Sequence, residues 1–244
     1  MTDIPAHASH TDRRVSVYAD PACPWTWVTS QWLREVAPHR NLDLRWRSLS
    51  LWLRDADQPA AGVPAEIRAH AAAARAQSHR LLRVFEALRA ASREHDIDRL
   101  YRLWGERAFP PSRPPAPPEP HLISEIVTAA GLPAEWTATA DDPAWDAAIT
   151  ASMNAAAATC GPTPTSPTIV LGESAVGFAG PIFSSSPVGP AALRAWDAVS
   201  ALLTEPGFIE LRRPRTSPVP ILAAAERALP LRKSGADGRV SREA

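Results

Sequence analysis

The chain has 244 residues, of which 45% are hydrophobic, and its 26 basic and 26 acidic residues give a formal net charge of +0. This length allows one large domain, or a domain with an insertion, and a sizeable core. Without a basic excess there is no electrostatic case for binding nucleic acid or an anionic membrane. Lys233 is the only lysine, and with 26 prolines and long alanine runs the composition is typical of a GC-rich, actinobacterial genome.

The start of the chain and its cysteines indicate a cytoplasmic compartment. Residues 1–13 are predicted to be a flexible polar arm without the apolar core of a signal peptide. No run reaches the roughly 18 apolar residues of a membrane helix. Because thiols stay reduced in the cytoplasm, Cys23 and Cys160 are expected to be reactive thiols or inert core residues rather than a structural disulfide.

The first elements along the chain are a strand, a helix and a second strand. Alternating apolar residues over 15–19 predict the first strand. Apolar residues then recur at helical spacing from Pro24, which suits the first turn of a helix, to Pro38, which is expected to end it. A second alternation over 42–47 predicts a strand parallel to the first, joined by a right-handed crossover.

The middle of the chain is predicted to be helical. A stretch rich in Ala, Arg and Leu covers 64–104, and further helices are expected over 121–130, from near Pro133, and over 143–159. Between them, RAFPPSRPPAPPEP (107–120) cannot form a helix or a central strand, because proline fixes φ and lacks the N–H donor. It is expected to be an extended surface loop of polyproline type, or else a partner-binding segment.

The last elements are a hairpin and a helix. SPTIVLGESAVGFAG (166–180) has two apolar runs around a Gly172-Glu173 turn, which predicts a β-hairpin, and a final helix is expected over 188–204. The order is therefore β-α-β, a helical block, and then β-β-α.

That order predicts an α/β fold in which a thioredoxin-like core carries an all-helical insertion. The expected divisions are a core at 14–60 and 160–213, an insertion at 61–159, and a flexible tail at 214–244.

Cys23 is placed where the first strand meets the first helix, in YADPACPWTW. A thiol reacts as its thiolate, and a free pKa of about 8.5 leaves it mostly protonated at neutral pH. Unpaired N–H groups and the helix dipole stabilise a thiolate at a helix N-terminus, so we predict a lowered pKa for Cys23. Asp20 would oppose this effect if it lay close. The alternative is a buried structural cysteine at the same junction.

Tryptophans and a late proline are the other candidate site residues. Trp25 could form the wall of a substrate groove, whereas Trp27 is expected to pack inward. Trp52 and Trp104 could join Trp25 in an aromatic pocket for a planar substrate, although core packing explains them equally well. Pro167 opens a late strand, and from spacing alone a cis bond there is the minority expectation, since only about 5–6% of X-Pro bonds are cis.

DPACPWTWVTSQWL, the later SPTIV, GFAGPIFSSSP and FIELRRPRT, and the helices between them resemble the DsbA-like branch of the thioredoxin superfamily. Within that branch they are most similar to the actinobacterial mycothiol-dependent reductases. The likeness covers most of the chain, but not the proline-rich loop or the tail beyond residue 217.

The resemblance implies a thiol–disulfide oxidoreductase in which Cys23 is the nucleophile and Pro167 is a cis-proline facing it. The backbone of Ser166 would pair with an extended substrate, and a low-molecular-weight thiol such as mycothiol would be the co-substrate. The substrate-binding candidates are Pro24, Trp25, Ser166 and Trp52.

Thr26 stands where the family motif has a second cysteine. In dithiol relatives that cysteine attacks the mixed disulfide and releases the substrate. Threonine cannot do so, but its hydroxyl can donate a hydrogen bond to a Cys23 thiolate. We therefore predict a monothiol mechanism, in which Cys23 becomes S-thiolated and a second small thiol frees it. Cys160 could resolve the adduct instead, but is expected to be an inert thiol at a helix end.

Two other functions stay open from the sequence. One is an enzyme of the kappa-class glutathione transferase and isomerase type, which activates a bound thiol. The other is a degenerate, non-catalytic redox sensor or partner-binding module. Neither a metal nor a tightly bound cofactor is expected, because the histidines lack metal-ligand spacing and no phosphate-binding glycine loop occurs. The expected partners are a small thiol and a disulfide or electrophilic substrate, bound by a monomer or homodimer.

Overall fold

The structure is a computed structural model that describes residues 14–56, 65–110, 119–172, 176–211 and 213. The predictions for the arm at 1–13, for most of the proline-rich loop and for the tail from 214 fall outside these residues.

Four strands form one mixed sheet: β1 Arg14–Ala19, β2 Asp43–Ser48, β3 Thr168–Leu171 and β4 Gly177–Ala179. Their order is β2-β1-β3-β4, with β1 parallel to β2 and antiparallel to β3, and β4 antiparallel to β3. Val15 and Val17 on β1 are fully buried, as expected for alternate residues facing a core. The predicted parallel pair and hairpin are both confirmed.

Helices account for most of the rest of the described chain. The α-helices are α1 Pro24–Arg40, α2 Leu51–Arg54, α3 Ala65–Ala90, α4 Glu94–Ala108, α5 Leu122–Ala129, α6 Asp146–Cys160 and α7 Gly189–Leu203. Two 3₁₀ segments cover Ala134–Asp141 and Pro143–Trp145. No helix in the described ranges is long and apolar enough to cross a membrane.

The element order confirms the predicted α/β class. The thioredoxin-like core consists of β1-α1-β2 and β3-β4-α7, and α3 to α6 form the helical insertion between β2 and β3. One large apolar cluster joins the two parts. It includes Val17 of β1, Trp32 of α1, Leu82 of α3, Trp104 of α4 and Ile126 of α5.

The helices differ from the prediction in several details. Helix α4 continues to Ala108, two residues into the 107–120 stretch that was predicted to be non-helical. Pro38 does not end α1, which continues to Arg40 and leaves through Asn41 in a left-handed conformation (φ 54°). A single missing N–H in the last turn leaves the remaining helical hydrogen bonds in place. The helical stretch over 64–104 is two helices, α3 and α4, which are separated at Ser92 (φ 59°). The segment after Pro133 is a 3₁₀ helix rather than an α-helix.

Candidate active site

Cys23 lies where the chain leaves β1 and enters α1. Its N–H donates to the Asp20 carbonyl at 3.0 Å, and its own carbonyl accepts from the Trp27 N–H at 3.0 Å, which begins the helix. Cys23 is the N-cap residue, and Pro24 occupies the first turn, where a missing N–H costs nothing. The sulfur is therefore attached at the positive end of a 17-residue helix.

Ser166 and Pro167 lie opposite Cys23, although 143 residues separate Ser166 from the thiol in sequence. The Cys23 thiol donates to the Ser166 carbonyl, with 3.2 Å between sulfur and oxygen. The Ser166–Pro167 peptide bond is cis, and both residues are buried. In this resting arrangement the Ser166 carbonyl already accepts a hydrogen bond from the Cys23 thiol.

The Thr26 side chain is fully buried and faces Ser166. The two hydroxyl oxygens are 2.6 Å apart, and the Ser166 hydroxyl oxygen also accepts from the Asp20 N–H at 2.8 Å. Ser166 can therefore donate to Thr26, which leaves the Thr26 proton available for the sulfur. The predicted role of Thr26 as a donor to a Cys23 thiolate is compatible with this geometry.

Electrostatics at Cys23 oppose ionisation in the resting protein. Only 5% of the residue is exposed, and burial raises the pKa of the Cys23 thiol. The Thr26 hydroxyl and main-chain N–H lower this pKa, whereas the Asp20 carboxylate raises it. The expectation of a lowered pKa for Cys23 is wrong for this state. Desolvation of the thiolate raises the pKa by more than the hydrogen bonds at the helix N-terminus lower it.

Asp20 is the charged neighbour of the thiol and is fully buried. Its carboxylate accepts from the Ala22 N–H at 2.7 Å, the Leu51 N–H at 2.6 Å and the Ser78 hydroxyl at 2.7 Å. Burial raises the pKa of Asp20, and these three donors lower it. Sequence reasoning foresaw that Asp20 could oppose ionisation but missed Leu51 and Ser78, since no local pattern signals contacts from so far along the chain.

The tryptophans divide into site and core residues. Trp25 is half-buried and packs against the small apolar cluster that contains Cys23 and Leu51. Trp52 follows Leu51 on α2 and is 44% exposed. Trp27 packs inward as predicted, edge-on to Tyr101. Trp104 is completely buried, so it belongs to the core rather than to a solvent-accessible pocket.

Trp104 nevertheless contacts the loop that leads to Cys23. Its indole N–H donates to the Pro21 carbonyl at 2.8 Å, which ties α4 of the insertion to the loop that carries Cys23. The sequence left Trp104 open between a pocket and the core and gave no sign of this bond, because an indole N–H that bonds a main-chain carbonyl has no sequence signature.

Cys160 is a half-buried thiol at the end of α6. It donates to the Ala156 carbonyl one turn earlier, at 3.2 Å, and its sulfur is 3.8 Å from the Thr168 hydroxyl oxygen. Both cysteines are free. This placement supports the expected helix-end thiol. Within the described ranges no group of three or more His, Cys, Asp or Glu residues is arranged to hold a metal ion.

Comparison with known proteins identifies a family and a relative. Residues 22–213 match the model of the Rv2466c-like family, described as mycothiol-dependent nitroreductase Rv2466c. The chain is also 26% identical over 229 residues to the uncharacterized protein Rv2286c of Mycobacterium tuberculosis, covering 88% of each chain. The predicted resemblance is confirmed at the level of the family and of an actinobacterial relative. The site at Cys23 lies within the matched region, and the chain belongs to the Rv2466c-like family of thioredoxin-like redox enzymes.

Proposed function

We propose that the protein is a monothiol thiol–disulfide oxidoreductase whose nucleophile is Cys23 and whose co-substrate is mycothiol or a similar small thiol. One observation carries the proposal. The Cys23 sulfur lies at the N-terminus of α1 against Ser166, and the position three residues later holds the Thr26 hydroxyl instead of a second sulfur. Membership of a family described as mycothiol-dependent supports the choice of co-substrate.

Reaction requires the resting thiol to lose its proton. The S–H group is held by the Ser166 carbonyl, and a disulfide substrate that approaches this carbonyl with its own N–H displaces that bond. The thiolate then accepts from the Thr26 hydroxyl and main-chain N–H, both of which lower the pKa of Cys23. Substrate binding and thiol ionisation are therefore linked at Ser166.

The exchange proceeds in two balanced steps. The Cys23 thiolate attacks one sulfur of the disulfide, a Cys23–substrate disulfide forms, and the other sulfur leaves as a thiolate that takes up a proton. A second small-thiol thiolate then attacks the substrate sulfur of the adduct, so that a new small-molecule disulfide forms and Cys23 leaves as a thiolate. Thr26 cannot perform this second attack, so the resolving thiol comes from solution.

The substrate surface is proposed to include the first turn of α1 and the exposed face of α2. Pro24 and Trp25 are partly exposed beside the sulfur, and Trp52 is the most exposed of the candidate residues. Because the matched family is described as nitroreductase, a planar nitro compound is a second substrate class for the assay. Reducing a nitro group to a nitroso group and water would consume two thiols and leave their disulfide.

A second candidate function is thiol transfer to an electrophile, in the manner of kappa-class glutathione transferases. One observation favours it: burial raises the pKa of Cys23, so the resting site presents an S–H donor. That donor would stabilise the thiolate of a bound co-substrate. In this case Cys23 would never form a disulfide.

Turnover by cysteine variants tests the proposal. The substrate is a mixed disulfide of mycothiol, supplied with excess mycothiol, and the released thiol is measured. Cys23→Ser is expected to abolish turnover, whereas Cys160→Ser should retain it within about twofold, because Cys160 lies at a helix end. Full activity in Cys23→Ser would overturn the proposal. Conjugation of an electrophile by the wild type, with Cys23 unmodified throughout, would favour the transferase instead.

A further inference from the structure

The short helix α2 forms one side of the site and consists of a single turn. It spans only Leu51–Arg54, yet it carries the exposed Trp52 and contributes Leu51 to the apolar cluster around Cys23. Its N-cap residue is Ser50, whose hydroxyl oxygen accepts from the Leu53 N–H at 3.2 Å. A helix of one turn depends on outside contacts for its position, because its own hydrogen bonds are too few.

At the N-terminal end of α2 the contacts come from two consecutive buried residues of the insertion helix α3, whereas Arg75 of α3 pairs with Asp55 at the other end at 3.0 Å. Ser78 donates to the Asp20 carboxylate, which also accepts from the Leu51 N–H. His79 lies beside Ser50, with 3.0 Å between the imidazole Nδ1 and the serine Oγ. Adjacent residues of α3 therefore hold both the loop before the thiol and the first turn of α2.

The partners of His79 define which ring nitrogen of the neutral imidazole carries the proton. Its Nε2 lies 3.0 Å from an Asp146 carboxylate oxygen on α6. Arg83 of α3 binds both oxygens of that carboxylate, at 2.6 and 2.8 Å, which keeps Asp146 ionised. Asp146 therefore accepts the Nε2 proton. A neutral imidazole with its proton on Nε2 leaves Nδ1 as an acceptor, so the Ser50 hydroxyl donates to Nδ1 while its oxygen accepts from the Leu53 N–H.

We propose that His79 is a positioning residue of the Cys23 site, which fixes Ser50, α2 and Trp52 as a neutral imidazole and releases them when it is protonated. The proposal rests on the function assigned to Cys23, because α2 matters to chemistry only as a wall of that site. In this proposal, α3 of the helical insertion positions residues that surround Cys23.

Protonation breaks the arrangement for a specific reason. A proton on Nδ1 turns this atom into a donor and removes the acceptor for the Ser50 hydroxyl, which is fully buried. Burial lowers the pKa of His79, Asp146 raises it, and Arg83 lowers it, so the imidazole is neutral at neutral pH. Among the described residues, two other carboxylates reach α2. The buried Asp20 contacts the neighbouring Ser78 and the Leu51 N–H, and Asp55, the C-cap residue of α2, pairs with Arg54 and with Arg75 of α3.

Amide hydrogen exchange at Leu53 of the full chain tests the proposal, with protection corrected for the intrinsic exchange rate. As the pH is lowered from neutral, protonation of His79 should reduce Leu53 protection in the wild type by about tenfold, because the Ser50 hydroxyl loses its acceptor. His79→Gln, which cannot be protonated, should show no such fall. The control His95→Gln replaces a histidine whose side chain is 75% exposed, and it should behave like the wild type.

Two outcomes would overturn the proposal: wild-type protection that does not change with pH, or an equal fall in His79→Gln. The latter result would assign the effect to another titratable group, such as Asp20 or Asp55. If His79→Gln does not fold, Ser50→Ala serves instead, and its Leu53 protection should be low and independent of pH. These outcomes do not depend on whether Cys23 is catalytic, so a failed turnover assay and a failed exchange experiment are distinguishable.

Discussion

The hydroxyl of Thr26 can donate to a Cys23 thiolate without competing with it as a nucleophile. It lies 2.6 Å from the Ser166 hydroxyl, which in turn is held by the Asp20 N–H. A side chain fixed in this way keeps its orientation when the thiol ionises. Substitutions at this one position can therefore separate hydrogen bonding from thiol chemistry.

Thr26→Val should slow the alkylation of Cys23 by iodoacetamide by about tenfold at mildly alkaline pH, since a hydrogen bond to a charged group is lost. Thr26→Ser keeps the hydroxyl and should react within about twofold of the wild type. Rates are measured in a Cys160→Ser background, so that only Cys23 reacts. Equal rates for the valine and serine variants would show that the hydroxyl does not stabilise the thiolate.

Asp20 and Thr26 have opposite effects on the pKa of Cys23. The buried Asp20 carboxylate raises the pKa of Cys23, so Asp20→Asn should lower that pKa and increase the thiolate fraction at neutral pH. The ultraviolet absorbance of the thiolate, followed against pH, measures this shift. Asp98→Asn removes a carboxylate that pairs with Arg34 instead, and should leave the titration unchanged. A Cys23 pKa that rises in Asp20→Asn would contradict the account.

At the scale of elements, α4 packs directly against the helix that begins at Cys23. Gly105 of α4 lies under the Trp27 ring, and a Cβ added there would come within 2.1 Å of a ring carbon. A rigid indole cannot move away as a flexible side chain would. The absence of a side chain at Gly105 therefore allows α1 and α4 to approach each other.

Gly105→Ala should lower the free energy of unfolding by about 1–3 kcal/mol, despite the better helix propensity of alanine, because it overpacks this contact. Urea unfolding measures the change. Combining it with Trp27→Phe, which removes part of the ring, should recover some of the loss, and a double-mutant cycle gives the coupling. Gly105→Ala with wild-type stability would mean that the two helices are not in this close contact.

The contact between α3 and α6 should make stability depend on pH. The pKa of His79 is lowered by burial, so its contribution is fully present above the ordinary histidine pKa of about 6.5 and is lost as the pH falls through the lower folded value. The pKa of Asp146 is lowered chiefly by Arg83, and its contribution is lost only at more acidic pH.

The unfolding free energy of the wild type should therefore decrease as the pH falls below about 6.5, and the slope should be smaller in His79→Gln. Urea unfolding at a series of pH values measures both slopes. His121→Gln is a control, because that histidine is exposed and its ion pair lies on the surface of α5. A slope in His79→Gln equal to that of the wild type would assign the pH dependence to other groups.

For the molecule as a whole, local patterns predicted most of the fold. Alternation identified β1 and β2, and Pro24 identified the start of α1. The helix α2 was missed because SLSLWL continues the alternating pattern of the preceding strand, and its helical form depends on Ser50 and contacts from α3.

The candidate site was only partly predictable. Cys23, Thr26, Ser166 and Pro167 do lie together, as the family motif implied. The electrostatics were not predictable, because burial by distant segments and the Asp20 carboxylate set the pKa of Cys23. The link from α3 spans 58 residues between Asp20 and Ser78, and such a contact has no local sequence signal.

Mass spectrometry of a trapped adduct tests the central claim most directly. The wild-type protein is incubated with oxidised mycothiol, digested without reductant, and mapped, before and after addition of free mycothiol. We predict one mycothiol disulfide on Cys23, none on Cys160, and full release of the adduct by the free thiol. An unmodified Cys23, or a disulfide between Cys23 and Cys160, would contradict the monothiol account.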